Sequence, residues 1–271
     1  MGTLYLVATP IGNLEDITLR ALRVLGEMSL IAAEDTRRAR ILAQRYGLHT
    51  PITSYFEGNK ETKLAPLLEM LETADIALIS EAGMPGLSDP GYELVRAAIA
   101  RGIPVVPIPG PSALVTALVV SGLPSDAFVY LGFLPRRAGE RRRLLAEVAG
   151  EPRTLVAFEA PHRLRASLAD MAAAFGERPI AICRELTKVH EEVWRGSISA
   201  ACVHFGQVEP RGEFTLVVGG APAAQERWKE ERVRAALEEL RAQGLPLPEA
   251  ARQVAVASGW SRDDVYRVGL R

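Results

Sequence analysis

Three small-residue turns stand directly after short apolar runs: Thr9-Pro10-Ile11-Gly12-Asn13-Leu14, the stretch 80–91 that opens Ser80-Glu81-Ala82-Gly83-Met84-Pro85-Gly86, and Pro109-Gly110-Pro111-Ser112-Ala113. Small residues let a backbone approach a ligand closely, and the amides and carbonyls bared there can bind adenine and ribose edges. One such loop alone reads more simply as a turn; three on one sheet edge read as a binding site. Two charged clusters also follow apolar runs: Phe158-Glu159-Ala160-Pro161-His162-Arg163, and Arg184-Glu185-Leu186-Thr187-Lys188. Glu34-Asp35 precedes Arg37, Arg38 and Arg40, and serves equally well as an acidic helix cap or as a site. Five arginines crowd a loop and helix start at Arg136, Arg137, Arg141, Arg142 and Arg143. They form either a phosphate-binding patch or a solvated helix face. Trp194 and Trp260 could stack on bases, although core packing is the plainer role for both.

Several common signatures are missing. There is no GxGxxG, no GxxxxGK[ST] and no HExxH, which weighs against a standard Rossmann dinucleotide enzyme, a P-loop NTPase and a zincin. His49, His162, His190 and His204 are scattered, and no cluster has metal-ligand spacing, so no metal is expected.

The elements that carry these loops alternate. Residues 4–8, 30–33, 76–79 and 105–108 read as strands, and 18–25, 36–46, 63–71 and 92–100 as helices, with another helix opened by Ser112. Short strands alternating with helices predict a largely parallel sheet covered on both faces, with ligands at the carboxyl ends of its strands. Beyond residue 118 strands are expected at 128–131, 155–158, 180–184, 191–195 and 213–218, several joined by short links, which favours a mixed sheet. Ala221-Pro222-Ala223-Ala224 reads as a linker. The remainder is helical in pattern. Val233, Leu237 and Leu240 form one stripe, Gly244-Leu245-Pro246 breaks it, and Ser261 before Asp263 and Asp264 caps a last helix. This is a helix-turn-helix-like tail or a dimerising one. The expected domains are 1–117 and 118–222, both α/β with a ligand cleft between them, and a helical module at 226–271.

Composition narrows the class. The chain has 271 residues, 48% hydrophobic and 24% charged, as ordinary globular proteins do. A formal charge of −1 supplies no global field for nucleic acid, so any RNA affinity needs a local patch. Arginine supplies 28 of the 32 basic residues, which suits phosphate and base contacts but equally a GC-rich or heat-adapted host. Cys183 and Cys202 make no disulfide framework, and reduced thiols suit a cytoplasmic location. Neither a secretory leader nor a membrane span is expected.

Taken together, the loops at 8–18, 33–37, 80–91 and 109–112, with the clusters at 159–163 and 184–188, resemble the ribosomal RNA small subunit methyltransferase I family, the ribosomal branch of the tetrapyrrole methylases. The resemblance runs in order from about residue 2 to 218, and the tail resembles that family's RNA-binding module. It implies S-adenosylmethionine bound between two α/β domains, no metal, a homodimer, and 2′-O-methylation of a cytidine in 16S RNA of the small ribosomal subunit. Cofactor contacts are then expected from Pro10, Gly12, Ser80, Glu81, Ala82, Gly83, Pro85, Gly110, Pro111, Ser112 and Phe158. RNA contacts are expected from Arg37, Arg136, Arg137, Arg141, Arg142, Arg163 and Arg184. Lys188, Glu159 and Asp35 are the catalytic candidates; Lys188 needs a lowered pKa to act as a base, and a phosphate contact is its plainer role. The chain departs from the family pattern with Glu81 where Asp is common, Met84 where Thr is common and Ala160 where Ser is common. The rivals are a tetrapyrrole methylase, which needs neither arginine patch nor tail, and a non-catalytic RNA-binding protein, which has no use for three cofactor loops.

Overall fold

The structure, a computed structural model, describes residues 1–87, 89, 91–222 and 228–270. Ser88 and Pro90 of the second small-residue loop, and Ala223 and Ala224 of the expected linker, lie outside the described residues. The chain forms two compact units, Met1–Ala149 with Arg153–Gly219, and Gly150–Pro152 with Gly220–Arg271.

The first unit holds two sheets. The first is wholly parallel and built from β1 (Leu4–Val7), β2 (Leu30–Ala33), β3 (Ile52–Ser54), β4 (Ile76–Ile79) and β5 (Val105–Ile108), in the order β3-β2-β4-β1-β5. Its crossovers are α1 (Leu19–Glu27), α2 (Thr36–Tyr46), α3 (Lys60–Met70) and α4 (Tyr92–Ala100). Strands such as Ile76–Ile79 are buried at every residue, as a sheet covered on both faces requires. Val7, Ile31, Ala77 and Ile108 pack under α1 and α2, and Leu4, Ala32, Ile76 and Leu78 under α3 and α4. Local signals set the helix ends: the Thr18 side chain accepts from the Ala21 amide, and Asp35 from that of Arg37.

α5 (Ala113–Ser121) leaves this sheet and packs on the second, made of β6 (Phe128–Phe133), β7 (Thr154–Glu159), β8 (Pro179–Arg184), β9 (Glu192–Ser197) and β10 (Phe214–Val218). The order is β6-β7-β10-β8-β9; β6 and β7 are parallel and the other pairs antiparallel. Side chains alternate. Leu155, Ala157, Leu216 and Val218 face a core beneath α6 (Ala138–Glu147), α7 (Leu164–Phe175) and α8 (Ile198–Gln207). Val156, Ala181, Cys183 and Val217 face Leu114, Ala117 and Leu118 of α5. The strands at 52–54 and the helices α7 and α8 add to the elements expected from the pattern.

The second unit carries α9 (Glu230–Ala242), α10 (Leu247–Ser258) and α11 (Arg262–Gly269) around Val233, Leu237, Ala251, Val254 and Val265. Ser261 caps α11 by accepting from the Asp264 amide at 3.1 Å. The Trp260 indole donates to the Trp228 carbonyl at 2.6 Å and packs on this small core. Among the described residues no helix is long and apolar enough to cross a membrane.

One arginine of the crowded run belongs to the architecture. Arg141 is buried and its guanidinium meets Asp170 of α7 at 2.7 and 2.8 Å. Removing one member of a buried pair strands the other charge, at about 3–5 kcal/mol. Asp170→Ala therefore lowers unfolding stability by about 3 kcal/mol, seen as a lower urea midpoint. An unchanged midpoint would mean that Arg141 is solvated.

Candidate active site

Because the first sheet is parallel, the chain leaves β1, β2, β4 and β5 at one edge, and the small-residue loops gather there. They bind one another. Thr9 and Gly83 exchange both backbone hydrogen bonds, at 2.9 and 3.0 Å. The Thr9 hydroxyl donates to the Ser80 carbonyl at 3.3 Å, and the Ser80 hydroxyl reaches the carbonyls of Ala82 and Gly83 at 3.3 Å each. The loops after β1 and β4 are thereby held rigidly against each other.

The second sheet presents its matching edge. β6, β7 and β8 end where β10 begins, with Phe214 opposite both Glu159 and Arg184. A cavity of about 350 Å³ lies between the two edges. Ile11, Leu114, Leu186 and Phe158 make its apolar wall, and Glu81, Asp89, Glu159 and Glu213 add carboxyl groups. Ser112 lines it from the start of α5, where its side chain makes no cap hydrogen bond. A second cavity of about 310 Å³ lies on the α2 side, lined by Pro10, Gly12, Ser80, Glu81, Arg38 and Leu42 among others.

The eleven expected cofactor contacts therefore divide. Glu81, Ala82, Gly83, Ser112 and Phe158 line the larger cavity. Pro10, Gly12 and Ser80 line the smaller one, which shares Glu81. Pro85, Gly110 and Pro111 line neither; Gly110 instead fits tightly over Ala8, and the Pro111 carbonyl lies beside Gly83. Glu81, Met84 and Ala160, the three departures from the family pattern, all line the larger cavity.

Burial, with neighbouring carboxylates, raises the pKa of two acids near β4, Glu34 and Asp89. Burial pushes Glu34 up and the charges of Glu81 and Asp35 push the same way, while the Glu81 amide donating to Glu34 at 3.1 Å works against them. Burial raises Asp89 to about 7, helped by the charges of Glu34 and Glu81 and opposed by a hydrogen bond with Ser80. Arg38 pairs with Glu81 at 2.8 Å. Burial likewise lifts the Cys183 thiol to about 11, so this cavity-lining sulfur stays protonated.

The three catalytic candidates do not meet. Asp35 caps α2 and grips Arg37 at 2.8 Å, and those hydrogen bonds hold its carboxyl at about 2. Glu159 is fully buried at the exit of β7, where it accepts from the Ala160 amide at 2.8 Å, from Arg163 at 2.8 Å and from the Ser167 hydroxyl. Lys188 bridges Glu185 at 2.9 Å and Glu213 at 3.0 Å; burial draws its pKa down, but the two carboxylates more than offset this and leave it raised. Of the arginines expected at RNA, Arg37, Arg136, Arg137 and Arg142 are exposed. Arg141, Arg163 and Arg184 are turned to internal partners, Asp170, Glu159 and Glu192.

Asp89 and Leu186, which belong to motifs named from the sequence but were given no role there, line the larger cavity, as do Phe133 and Thr215, which belong to none. For Phe133 a signal was present: Gly132 interrupts a strand pattern, which marks a bulge. Nothing in one sequence tells which carboxyl of the 80–91 loop is half-buried.

Residues 3–202 match the family model for tetrapyrrole (corrin/porphyrin) methylases. The Ribosomal RNA small subunit methyltransferase I of Halalkalibacterium halodurans is 46% identical over 98% of this chain and 94% of its own length. The protein of that name from Synechocystis is 46% identical over 100% and 98%, and that from Escherichia coli O157:H7 44% over 99% and 95%. Among solved structures, the uroporphyrin-III-C-methyltransferase of Thermus thermophilus superposes with a TM-score of 0.57 at 25% identity, over 81% of this chain and 94% of its own. The same enzyme complexed with S-adenosyl homocysteine gives 0.58 at 22%, over 80% and 97%. With this likeness running through both sheets and their loops, the chain belongs to the tetrapyrrole methylase family, in its ribosomal RNA small subunit methyltransferase I branch.

Proposed function

We propose that this protein transfers a methyl group from S-adenosylmethionine to the ribose 2′-hydroxyl of a cytidine in 16S RNA of the small ribosomal subunit. The observation that carries the reading is the cavity at the joined sheet edges, with an apolar wall, backbone-rich loops and an excess of carboxyl groups. That donor set fits the cofactor: an apolar wall takes adenosine, and acids favour a sulfonium and an ammonium. The near end-to-end identity to relatives named for ribosomal RNA supports the substrate class.

Held by Glu81, Ala82, Gly83, Ser112 and Phe158, S-adenosylmethionine would supply an electrophilic methyl group and leave as S-adenosyl homocysteine, the proton of the accepting hydroxyl passing to solvent. The protein's work is then largely placement. The Thr9–Gly83 bridge fixes the loop backbones. Ser112 offers a hydroxyl and Glu81 and Asp89 a negative field. We assign Glu159, Asp35 and Lys188 to building this site rather than to proton transfer, since each is held in a charged pair. Arg37, Arg136, Arg137 and Arg142 are the proposed phosphate contacts. A homodimer and a cytoplasmic location, expected from the resemblance and the free thiols, belong to the same reading; sedimentation velocity tests the first.

Labelled S-adenosylmethionine and small subunits from cells lacking this activity test the function. Alkali-stable label on one ribose is expected. No transfer to subunits, with cofactor bound, would overturn the RNA reading and direct attention to tetrapyrroles.

Arg136→Ala with Arg137→Ala is expected to raise KM for subunits and to reduce the slope of log affinity against log salt by about 1 per lost phosphate contact. Cofactor affinity stays unchanged, as calorimetry would show.

Asp89 gives the pH dependence. Its folded value of about 7 exceeds the ordinary 3.8, so between those limits the folded state alone holds the proton. Its contribution to stability is therefore greatest in acid and declines as pH rises to about 7. The carboxylate formed at higher pH attracts the cationic cofactor. Cofactor affinity rises between pH 6 and 8, roughly the span centred on that value, and Asp89→Asn flattens both trends. Calorimetric titrations and urea unfolding across this range provide the check.

A further inference from the structure

We propose that Phe133 is a stacking platform for a base of the RNA substrate, turned to the cavity mouth by a one-residue bulge in β6; this rests on the RNA reading above. The register shows how the ring gets there. Phe128, Val129 and Tyr130 pair with Thr154, Leu155 and Val156, but Phe133 pairs with Phe158, one residue earlier than regular pairing would place it. β6 therefore carries one extra residue between Tyr130 and Phe133. Alternation puts Val129 and Leu131 in the core beneath α6–α8 and Tyr130 on the opposite face with Val156 and Phe158. Without the extra residue Phe133 would share the face of Leu131. With it, Phe133 moves to the cavity face, 5.3 Å from the Phe158 ring, which Tyr130 meets at 5.4 Å from the other strand position. Gly132 has φ +68°, a conformation in which a side chain is strained. Bulges are uncommon between parallel strands and recur beside active sites, where they re-aim a side chain.

The result is a phenyl ring that lines the cavity and is still 55% exposed. The next residue, Leu134, is buried again, so the exposure belongs to this one position. Phe158 backs the ring at a tilt of 58° and is itself met edge-on by Tyr130, while more than half of Phe133 stays exposed. Three and four residues along the chain, Arg136 and Arg137 are exposed, the Arg137 side chain by 85%. A flat apolar surface followed at once by guanidinium groups matches a nucleotide of single-stranded RNA, a base with its phosphates. A 2′-hydroxyl reaches an enclosed cavity only when its nucleotide is drawn out of its stack, and an aromatic face replaces the stacking so lost. The acids sit inside the cavity and the arginines outside it, so a cation is favoured within and phosphate at the rim.

The test compares Phe133→Ala, Phe133→Leu and Phe133→Trp in methyl transfer to small subunits, with S-adenosyl homocysteine affinity measured by calorimetry. The Ala and Leu variants are expected to lose about 10- to 100-fold in kcat/KM for the RNA, while the Trp variant regains most of it. Cofactor affinity and thermal midpoint stay at wild-type values in all three. A Leu variant as active as wild type would show that the ring only fills space, and overturns the proposal. A loss that follows weakened S-adenosyl homocysteine binding would make Phe133 a cofactor contact, and overturns it as well. If the wild type itself transfers nothing to RNA, the functional reading falls first and this one with it.

Discussion

The two sheets meet over the site because Gly12 has no side chain. A β-carbon there would come within 2.5 Å of Lys188 Cγ, 2.8 Å of Thr187 Oγ1 and 2.9 Å of the Leu186 carbonyl. The loop after β1 thus touches the loop after β8, and the Asn13 amide donates to the Thr187 hydroxyl at 3.0 Å. The β8 loop adopts a costly shape to make this contact, with Glu185 at φ +51° and Thr187 at φ +66°. Such residues cost about 1–3 kcal/mol each and persist only where the surroundings over-determine them. Here the surroundings are charged. The Thr187 amide donates to Glu191 at 2.6 Å, the Glu213 amide to Glu185 at 2.9 Å, and Lys188 spans Glu185 and Glu213. Hydrogen bonds to charged groups contribute about 1.5–3 kcal/mol each, enough to offset the strain. The cluster that looks most catalytic in one dimension is, in three, the seam that holds the cavity closed.

From that seam follows a sorting of charge. A chain of near-zero net charge places carboxyl groups inside the cavity and most of its unburied arginines outside it. Arg141, Arg163 and Arg184, although they sit among motif residues, are withdrawn into pairs with Asp170, Glu159 and Glu192. The four that stay exposed, and that are proposed as phosphate contacts, are Arg37, Arg136, Arg137 and Arg142, with Arg37 and Arg137 paired at the surface to Asp35 and Glu140. Had all seven reached solvent, phosphate would be drawn as strongly to the flank of α7 as to the mouth of the cavity.

Much of this was legible in the residues. Periodicity located four strands of the first sheet and the full span of α2, because apolar runs and caps such as Asp35 act locally. β3 was not legible: three half-buried residues at a sheet edge carry almost no pattern. The small-residue loops were found, but not their division between two cavities, since that depends on which strand lies beside which. Arg141 could have been read differently. Arg141, Leu145 and Val148 stand at helical spacing on one stripe, and the last two pack in the core of the second sheet. Arg136 and Arg137 precede α6 and have no such stripe. The pKa of Asp89 depends on burial and on Glu34, far away in sequence, and no local pattern encodes it.

The likeness to a uroporphyrin-III-C-methyltransferase at a TM-score of 0.57 restricts where substrate choice can reside. The superposition covers 81% of this chain, so the fold that carries the cavity is common to the two proteins. On the proposed function, discrimination between a macrocycle and a nucleotide would fall to the rim. In this chain the rim is set by the end of β6, where one inserted residue reverses a side chain and the following turn delivers two arginines to solvent. A strand register is an economical place for such a change. An extra residue moves a ring from one face of the sheet to the other while Val129, Tyr130 and Leu131 before it keep their contacts. The cofactor side and the substrate side of one cavity can then vary independently.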